Sequence, residues 1–254
     1  MSKRPERNAP VPKYQKTSRL SPSSKLLSIL LSLTPGAVRN TAAALSLERF
    51  AETAMIDRTR FDAISRQHGR YASWAVWAEA SETPKSNIGD MSIFDVEANG
   101  SLLETIKGNV VMVGLNISRS FSEPFRNFHD PSSKANDFKI RYAFTNTKYY
   151  GAYMTDIIKN VEMVDSNDLL EHLKASPSLV RQNVEAFREE LQDLNSGKPT
   201  ILAFGTAAHR LLEKHISGRE YSRLVKVTHY GYRISKENYR QSVLAQIDSI
   251  ANVG

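Results

Sequence analysis

The chain has 254 residues, which is enough for one or two domains with a core of their own. It contains no cysteine, which excludes disulfides, thiolate metal sites and cysteine nucleophiles, and predicts a reducing, cytoplasmic compartment. No apolar run approaches the ~18 residues of a membrane span, so we expect no membrane partner. The formal net charge of +7 arises in residues 1–47, which hold eight basic residues and one acidic residue, whereas residues 48–254 are neutral.

The start of the chain is predicted to be a basic arm. Residues 1–24 are rich in Pro, Ser, Lys and Arg and poor in large apolar residues, a composition typical of disorder. The apolar run Leu26–Leu33 is interrupted by serines and lacks a clean cleavage site, which disfavours a signal peptide. The composition leaves an organelle transit peptide open, but we favour a short amphipathic helix that ends at Pro35.

Residues 25–100 are predicted to be a helical N-terminal extension. One or two helices are expected over 41–67, and a loop is expected over 81–100. Trp74 and Trp77 are three positions apart, so we expect them on one helical face, packed against the core.

Residues 101–254 alternate between short apolar runs and segments of helical periodicity. This alternation predicts a three-layer α/β/α domain with a four-stranded, mainly parallel sheet. The predicted strands are 109–113, Ala152–Ile158, Thr200–Phe204 and Leu224–Thr228, and the predicted helices are 134–144, 176–194, 205–215 and 235–250.

Charge is uneven within this region. Residues 110–160 carry a net charge of +3 and residues 198–240 carry +6, whereas the segment between them is acidic. If the fold brings the two basic stretches together, the domain has a positive face suited to a polyanion. The alternative is chance clustering of solvated charges.

Three segments leave the carboxyl ends of predicted strands, where parallel sheets bind ligands. They are Gly114-Leu-Asn-Ile-Ser118, Thr155-Asp156 and His229-Tyr-Gly-Tyr-Arg-Ile-Ser235. Taken alone, each has an ordinary structural interpretation: Asn116 as a turn residue, Asp156 as a cap for backbone amides, and His229 as a structural histidine. Their order along a four-strand α/β pattern is more specific.

In that order the segments resemble the uracil-DNA glycosylase superfamily. The stretch Val111–Ser118 is similar to the family's first motif, in which a strand runs into G-x-N or G-x-D. Phe128-His-Asp-Pro resembles the segment that begins at the base-stacking phenylalanine, and Gly151-Ala-Tyr-Met-Thr-Asp156 resembles the base-reading strand. Residues 201–212 resemble the strand and helix before the last motif, and His229–Ser235 resembles the last motif. The resemblance covers about 109–250.

The resemblance implies a monomeric, monofunctional DNA glycosylase that flips a base out of DNA and hydrolyses its N-glycosidic bond. No metal or organic cofactor is implied. Asn116 would position the attacking water, and His229 would stabilise negative charge on the leaving base. The base pocket would contain Gly114, Leu115, Phe128 and Asp156. The residues implied to contact DNA are Ser118, Arg119, Tyr230, Tyr232, Arg233, Ser235 and Lys236, with Tyr230–Arg233 entering the minor groove and the others holding phosphates.

The sequence departs from the family at Asp156, where an Asn reads uracil. An ionised carboxylate offers only acceptors, so it matches the exocyclic amine of cytosine rather than O4 of uracil. A protonated Asp156 could serve a uracil-like edge, but this requires a raised pKa. We therefore expect a cytosine-type or otherwise modified base, and the family includes an antiphage branch that excises glucosylated hydroxymethylcytosine.

Two further departures leave alternatives open. Ile117 follows Asn116 in place of the usual Pro, and Tyr230 follows His229 in place of Pro-Ser. A uracil-excising repair glycosylase and a non-catalytic nucleic-acid-binding module are the alternative functions. The pair His129-Asp130 suggests a metal site only weakly, and a loop-capping role is favoured.

Overall fold

The computed structural model describes residues 55–117, 119, 121–159, 161–163 and 165–251. All of them belong to one compact unit that spans Glu48–Gly254. The predictions for the basic arm (1–24), for residues 25–54 and for Ser118 fall outside the described residues. No helix among the described residues has the length and hydropathy needed to cross a bilayer.

The sheet has five strands, which are β1 Ser73–Trp74, β2 Lys107–Asn116, β3 Ala152–Ile158, β4 Thr200–Phe204 and β5 Arg223–Val227. Their order in the sheet is β1-β3-β2-β4-β5. The β2, β3, β4 and β5 strands are parallel, and β1 pairs antiparallel with β3 at one edge. This arrangement confirms the α/β class and the mainly parallel sheet, and adds an edge strand to the four predicted.

Helices cover both faces of the sheet, so the predicted three layers are present. The helices are α1 Arg58–Gln67, α2 Leu102–Thr105, α3 Asp137–Phe144, α4 Ser166–Ala175, α5 Pro177–Leu194, α6 Gly205–His215 and α7 Lys236–Ala251, with a 3₁₀ turn at Met91–Phe94. Side chains of α1, α5 and α6 join one apolar cluster with Val111 and Val113 of β2. Side chains of α3 and α7 join the other cluster, with Met112 of the same strand, because successive strand residues point to opposite faces.

The described part of the predicted helical extension, 55–100, is built into this unit. Trp74 lies in β1 and Trp77 follows that strand, so the prediction of a shared helical face is wrong. Both indoles are buried, as the core-packing interpretation expects. Trp77 donates its Nε1 hydrogen to the carbonyl of Phe128 at 3.2 Å, which fastens the loop after β2 to the sheet edge.

The strand order predicts a ligand crevice at the carboxyl edge of the sheet, between the loops that follow β2 and β4. The chain leaves β2 towards β3 on one side, and leaves β4 towards β5 on the other side. The loops that follow these neighbouring strands therefore diverge, and a crevice between such loops is where open α/β sheets bind ligands.

Candidate functional site

Gly114 and Asp156 are register partners on β2 and β3 at the carboxyl edge. The missing side chain of Gly114 leaves room for the Asp156 carboxyl, since a Cβ at this position would overlap Oδ1 of Asp156. The same Cβ would lie 3.5 Å from Cζ of Phe128. Three of the four predicted pocket residues therefore meet in the structure.

Leu115, the fourth predicted pocket residue, does not join them. It is 7% exposed and packs in the cluster on the opposite face of the sheet from Phe128. The prediction treated 114–118 as a loop, but pairing continues through Asn116, so side chains alternate between the faces and Leu115 points into the core.

Asn127 is a partner of Asp156 that the sequence analysis missed. Its Nδ2 donates to Oδ2 of Asp156 at 2.8 Å and to the carbonyl of Tyr71 at 2.8 Å. This amide therefore holds the carboxyl in place and ties it to the segment before β1. The sequence could have indicated Asn127 through its position directly before Phe128, because a residue next to an implied pocket residue lies at the same edge of the sheet.

Burial raises the pKa of Asp156 to about 7, against the lowering effects of the Asn127 hydrogen bond and the Lys159 charge. The carboxyl is 3% exposed. Near neutral pH both the ionised and the protonated forms are populated, so the raised pKa required for reading a uracil-like edge is present. The ionised form matches the exocyclic amine of a cytosine-type base, and the protonated form adds a match to a uracil-like edge.

An aromatic cluster closes the crevice above Phe128. The ring centroids of Phe128 and Tyr230 are 6.2 Å apart, and those of Phe204 and Tyr230 are 5.4 Å apart, both pairs nearly perpendicular. Tyr230 was predicted to enter the DNA minor groove, but its ring packs inward on these two phenylalanines. The next aromatic residue of the loop, Tyr232, is 64% exposed and takes the outward position.

His229 stacks on Tyr230, with centroids 4.4 Å apart and planes at 22°. Its Nδ1 accepts the Gly231 N–H at 3.0 Å, which places the proton of the neutral ring on Nε2. Loss of solvation lowers the pKa of His229 and so favours this neutral form. Gly205, which has a φ of +86°, allows the histidine to sit against the turn between β4 and α6. His229 thus lies at the crevice and has one N–H to donate.

The side-chain amide of Asn116 forms hydrogen bonds with the segment that follows β3. Its Nδ2 donates to the carbonyls of Val161 at 3.2 Å and Met163 at 2.8 Å, and also lies 3.1 Å from the carbonyl of Ile117. The amide hydrogens are therefore taken, and Oδ1 is the atom that remains for a water. No hydrogen bond among the described residues joins Asn116 to His229. Asn116 ends β2 and His229 follows β5, and with β4 between them these two strands are about 10 Å apart, at two strand spacings.

Several residues implied to bind phosphate already have partners within the chain. Arg119 forms an ion pair with Asp130 and lies over the Phe121 ring, with 5.1 Å to the centroid. Ser235 caps α7 by accepting the Asn238 N–H at 3.1 Å. Lys236 forms an ion pair with Glu237. Arg233, which belongs to the loop implied to enter the minor groove, is exposed.

Asp137 is a second carboxyl at this edge that was predicted only as part of a helix. Its Oδ2 accepts the Asp130 N–H at 2.8 Å, and burial raises its pKa to about 7. Burial raises the pKa of Tyr230, and the charges of Asp137 and Asp156 raise it further.

His129 has the loop-fastening role that was favoured over a metal site. It is fully buried, with Nε2 2.8 Å from the Val76 carbonyl and Nδ1 3.0 Å from the Asn127 carbonyl. Among the described residues no three His, Asp or Glu side chains cluster closely enough to hold a metal ion.

Comparison of the chain with models of known protein families and with curated proteins gives no match.

Proposed function

We propose that the chain is a DNA glycosylase that flips a base from DNA and hydrolyses its N-glycosidic bond, with a modified cytosine as the preferred base. The observation that carries the proposal is a continuous series of contacts at the crevice: Gly114 with Asp156 and Phe128, Phe128 with Tyr230, and Tyr230 with His229. An aromatic ring, a carboxyl and an imidazole at one edge of the sheet are the groups that base stacking, base reading and charge stabilisation would need, and this supports the proposal.

The mechanism begins with extrusion of the base, which costs a few kcal/mol and places its edge against Asp156. Phe128 is 3% exposed behind Tyr230, so entry of a base requires the Tyr230 ring to move aside. Stacking on Phe128 then offsets part of the cost, at about 1–3 kcal/mol per base.

Bond cleavage leaves negative charge on the base, and the Nε2 hydrogen of His229 would stabilise it. A preorganised donor of this kind typically contributes about 10²–10³ in rate. Asn116 would orient the attacking water through Oδ1, because its hydrogens hold the 161–163 segment in place. Its contribution is positioning, since an amide is not a base.

Asp156 would read the base edge in either protonation state. The ionised carboxylate accepts a hydrogen bond from an exocyclic amine, as in a cytosine derivative. The protonated form also donates, which adds a match to a uracil-like edge. Replacement by Asn keeps a donor and an acceptor at all pH values, so Asp156→Asn should shift the preference towards uracil.

The test is a panel of duplexes that each carry one modified base, scored for abasic sites by strand cleavage after alkali treatment. We expect cleavage with a cytosine derivative for the wild-type chain, and loss of cleavage for Asn116→Ala and for His229→Ala. Asn116→Asp keeps Oδ1 but removes the hydrogens that hold 161–163, so it separates water positioning from the structural role. The proposal fails if no base in the panel is released, and the modified-cytosine preference fails if uracil alone is released briskly.

One observation favours the non-catalytic alternative, a nucleic-acid-binding module. The hydrogens of Asn116 are all directed to backbone carbonyls, as expected of a purely structural residue. A binding module would retain the duplexes of the same panel without forming abasic sites, and Asn116→Ala would leave its affinity unchanged.

A further inference from the structure

A cavity of about 840 Å³ lies beside α3, away from the residues predicted for the base pocket. It is lined by residues 77–84, by α3 and the turn that follows it, and by the first two turns of α7. None of the residues predicted for the base pocket lines it, whereas Lys236, at the end of the predicted DNA-contacting loop, does.

Two guanidinium groups bring positive charge to this cavity. Arg141 is 6% exposed and donates to the carbonyls of Ala78 at 2.8 Å and Pro84 at 2.7 Å. Arg240 donates through Nη1 alone, to three carbonyls at the end of α3 between 2.7 and 3.0 Å. Within the described part of the chain neither guanidinium has a carboxylate at ion-pair distance, and Nε and Nη2 of Arg240 have no protein acceptor.

Two aromatic rings of α3 have a lysine ammonium from another part of the chain beside them. Phe138 and Tyr142 are one helical turn apart and both line the cavity. The Lys85 ammonium lies 5.1 Å from the Phe138 ring centroid, and the Lys236 ammonium lies 4.3 Å from that of Tyr142. Tyr142 is 37% exposed, so its ring is available to a ligand.

We propose that this cavity binds one nucleotide, with its phosphate at Arg240 and Arg141 and its base against the Tyr142 ring. Uncompensated guanidinium charge favours an anion, and a fork of free N–H groups suits phosphate. Exposed aromatic rings interleaved with cations are the pattern that holds unpaired bases. Two acidic residues, Glu79 and Glu82, also line the cavity, but both are exposed and neither pairs with the guanidiniums.

A nucleotide of the substrate strand and a free nucleotide present the same phosphate and base. The α7 helix begins directly after the His229–Ser235 loop, so a strand that contacts this loop can continue into the cavity. The identification of the ligand as a strand flanking the target base rests on the proposed function; the binding chemistry does not.

The test measures fluorescence anisotropy of a labelled single-stranded oligonucleotide of unmodified bases, titrated with the full chain. We expect Tyr142→Ala to weaken binding by about tenfold or more, because one stacking partner is lost. Tyr142→Phe keeps the ring and should bind like the wild-type chain. Arg240→Gln keeps an amide donor for the α3 carbonyls, and should reduce the slope of log affinity against log salt by about one.

Lys198→Ala is the matched control, because Lys198 is exposed and does not line the cavity. Wild-type binding by Tyr142→Ala, or an equal loss for Lys198→Ala, would overturn the proposal. Competition with thymidine monophosphate distinguishes the two sources, since a free-nucleotide site is emptied by the monomer and a strand site is not.

Excision is scored separately on the base panel. Binding that depends on Tyr142 without release of any base leaves the cavity assignment standing while the proposed function fails. Release of a base together with equal oligonucleotide binding by Tyr142→Ala overturns the cavity assignment alone.

Discussion

At the residue scale, Gly114 and Asp156 depend on each other's size. The Asp156 carboxyl occupies the space that a side chain at Gly114 would need, and Phe128 lies just beyond it. A glycine at position 114 permits a close approach, and the group that approaches is a side chain of the neighbouring strand.

We expect Gly114→Ala to lower the free energy of unfolding by about 1–3 kcal/mol, because the added methyl overpacks a buried site. Chemical denaturation measures the change. Gly100→Ala is the control, since a Cβ at Gly100 has no heavy atom within 4 Å. Equal unfolding free energies for the two variants would contradict the contact between Gly114 and Asp156.

The raised pKa of Asp156 makes stability depend on pH. Its folded pKa of about 7 lies above the ordinary value of 3.8. The stabilising contribution of the protonated form is therefore complete below about pH 4, and is lost as the pH rises through about 7. Asp137 has the same direction of shift and adds to the effect.

Asp156→Asn stays neutral at every pH, so the variant should lose less stability than the wild-type chain between pH 5 and pH 8. We expect the difference to be on the order of 1 kcal/mol or more. Urea denaturation at the two pH values measures it, with the exposed Asp168→Asn as the control. If the unfolding free energy fell equally in Asp156→Asn and in the wild-type chain, the Asp156 carboxyl would ionise in the folded state as it does in the unfolded state.

At the element scale, the beginning of α7 combines two roles that the sequence did not separate. Ser235 was assigned to phosphate binding and is also the residue whose Oγ accepts the Asn238 N–H. A serine in this position stabilises the helix by satisfying a backbone donor. Any contact with phosphate comes in addition to the cap.

Ser235→Ala should lower the unfolding free energy by about 1 kcal/mol through loss of the cap. Ser235→Asp restores a capping oxygen but brings a negative charge, so it should regain stability and weaken DNA binding if a phosphate lies there. Thermal unfolding and anisotropy with duplex DNA measure the two effects. Unchanged DNA affinity in Ser235→Asp would remove Ser235 from the phosphate-binding set.

Element prediction succeeded where local pattern is strong. The bounds of β3, β4 and α6 agree with those predicted, because each is an apolar run or a periodic segment with clear ends. The β2 strand runs three residues past its predicted end, since pairing with β3 continues through Asn116. The two residues of β1 are too few to show any alternation, and α4 was missed although Asp165 caps it by accepting two backbone N–H groups.

At the scale of the whole molecule, the fold brings the two basic stretches together. The β2 strand pairs with β4, and α3 packs against α7, so residues 110–160 and 198–240 adjoin on both the sheet and one helical layer. The two basic stretches therefore adjoin, as a positive face requires, and Arg141, Lys236 and Arg240 from them line the cavity beside α3.

The basic arm should act through charge alone. Deletion of residues 1–24 removes most of the excess cations of residues 1–47, so it should flatten the salt dependence of DNA affinity without abolishing excision. Affinity measured across a salt series, with abasic-site formation on the same samples, checks both expectations. Loss of excision at low salt would show that the arm takes part in the reaction.

The order of the four parallel strands, the layered α/β class and the carboxyl-edge position of the three motif segments were determined by the sequence itself. Each follows from local periodicity and from the rule that parallel strands end at one edge. Only the tertiary structure decided which side chains meet there. Leu115 faces away, Tyr230 turns inward, and the Asn116 hydrogens bind backbone carbonyls up to 47 positions along the chain. Contacts of that range depend on register and packing, which short motifs do not encode.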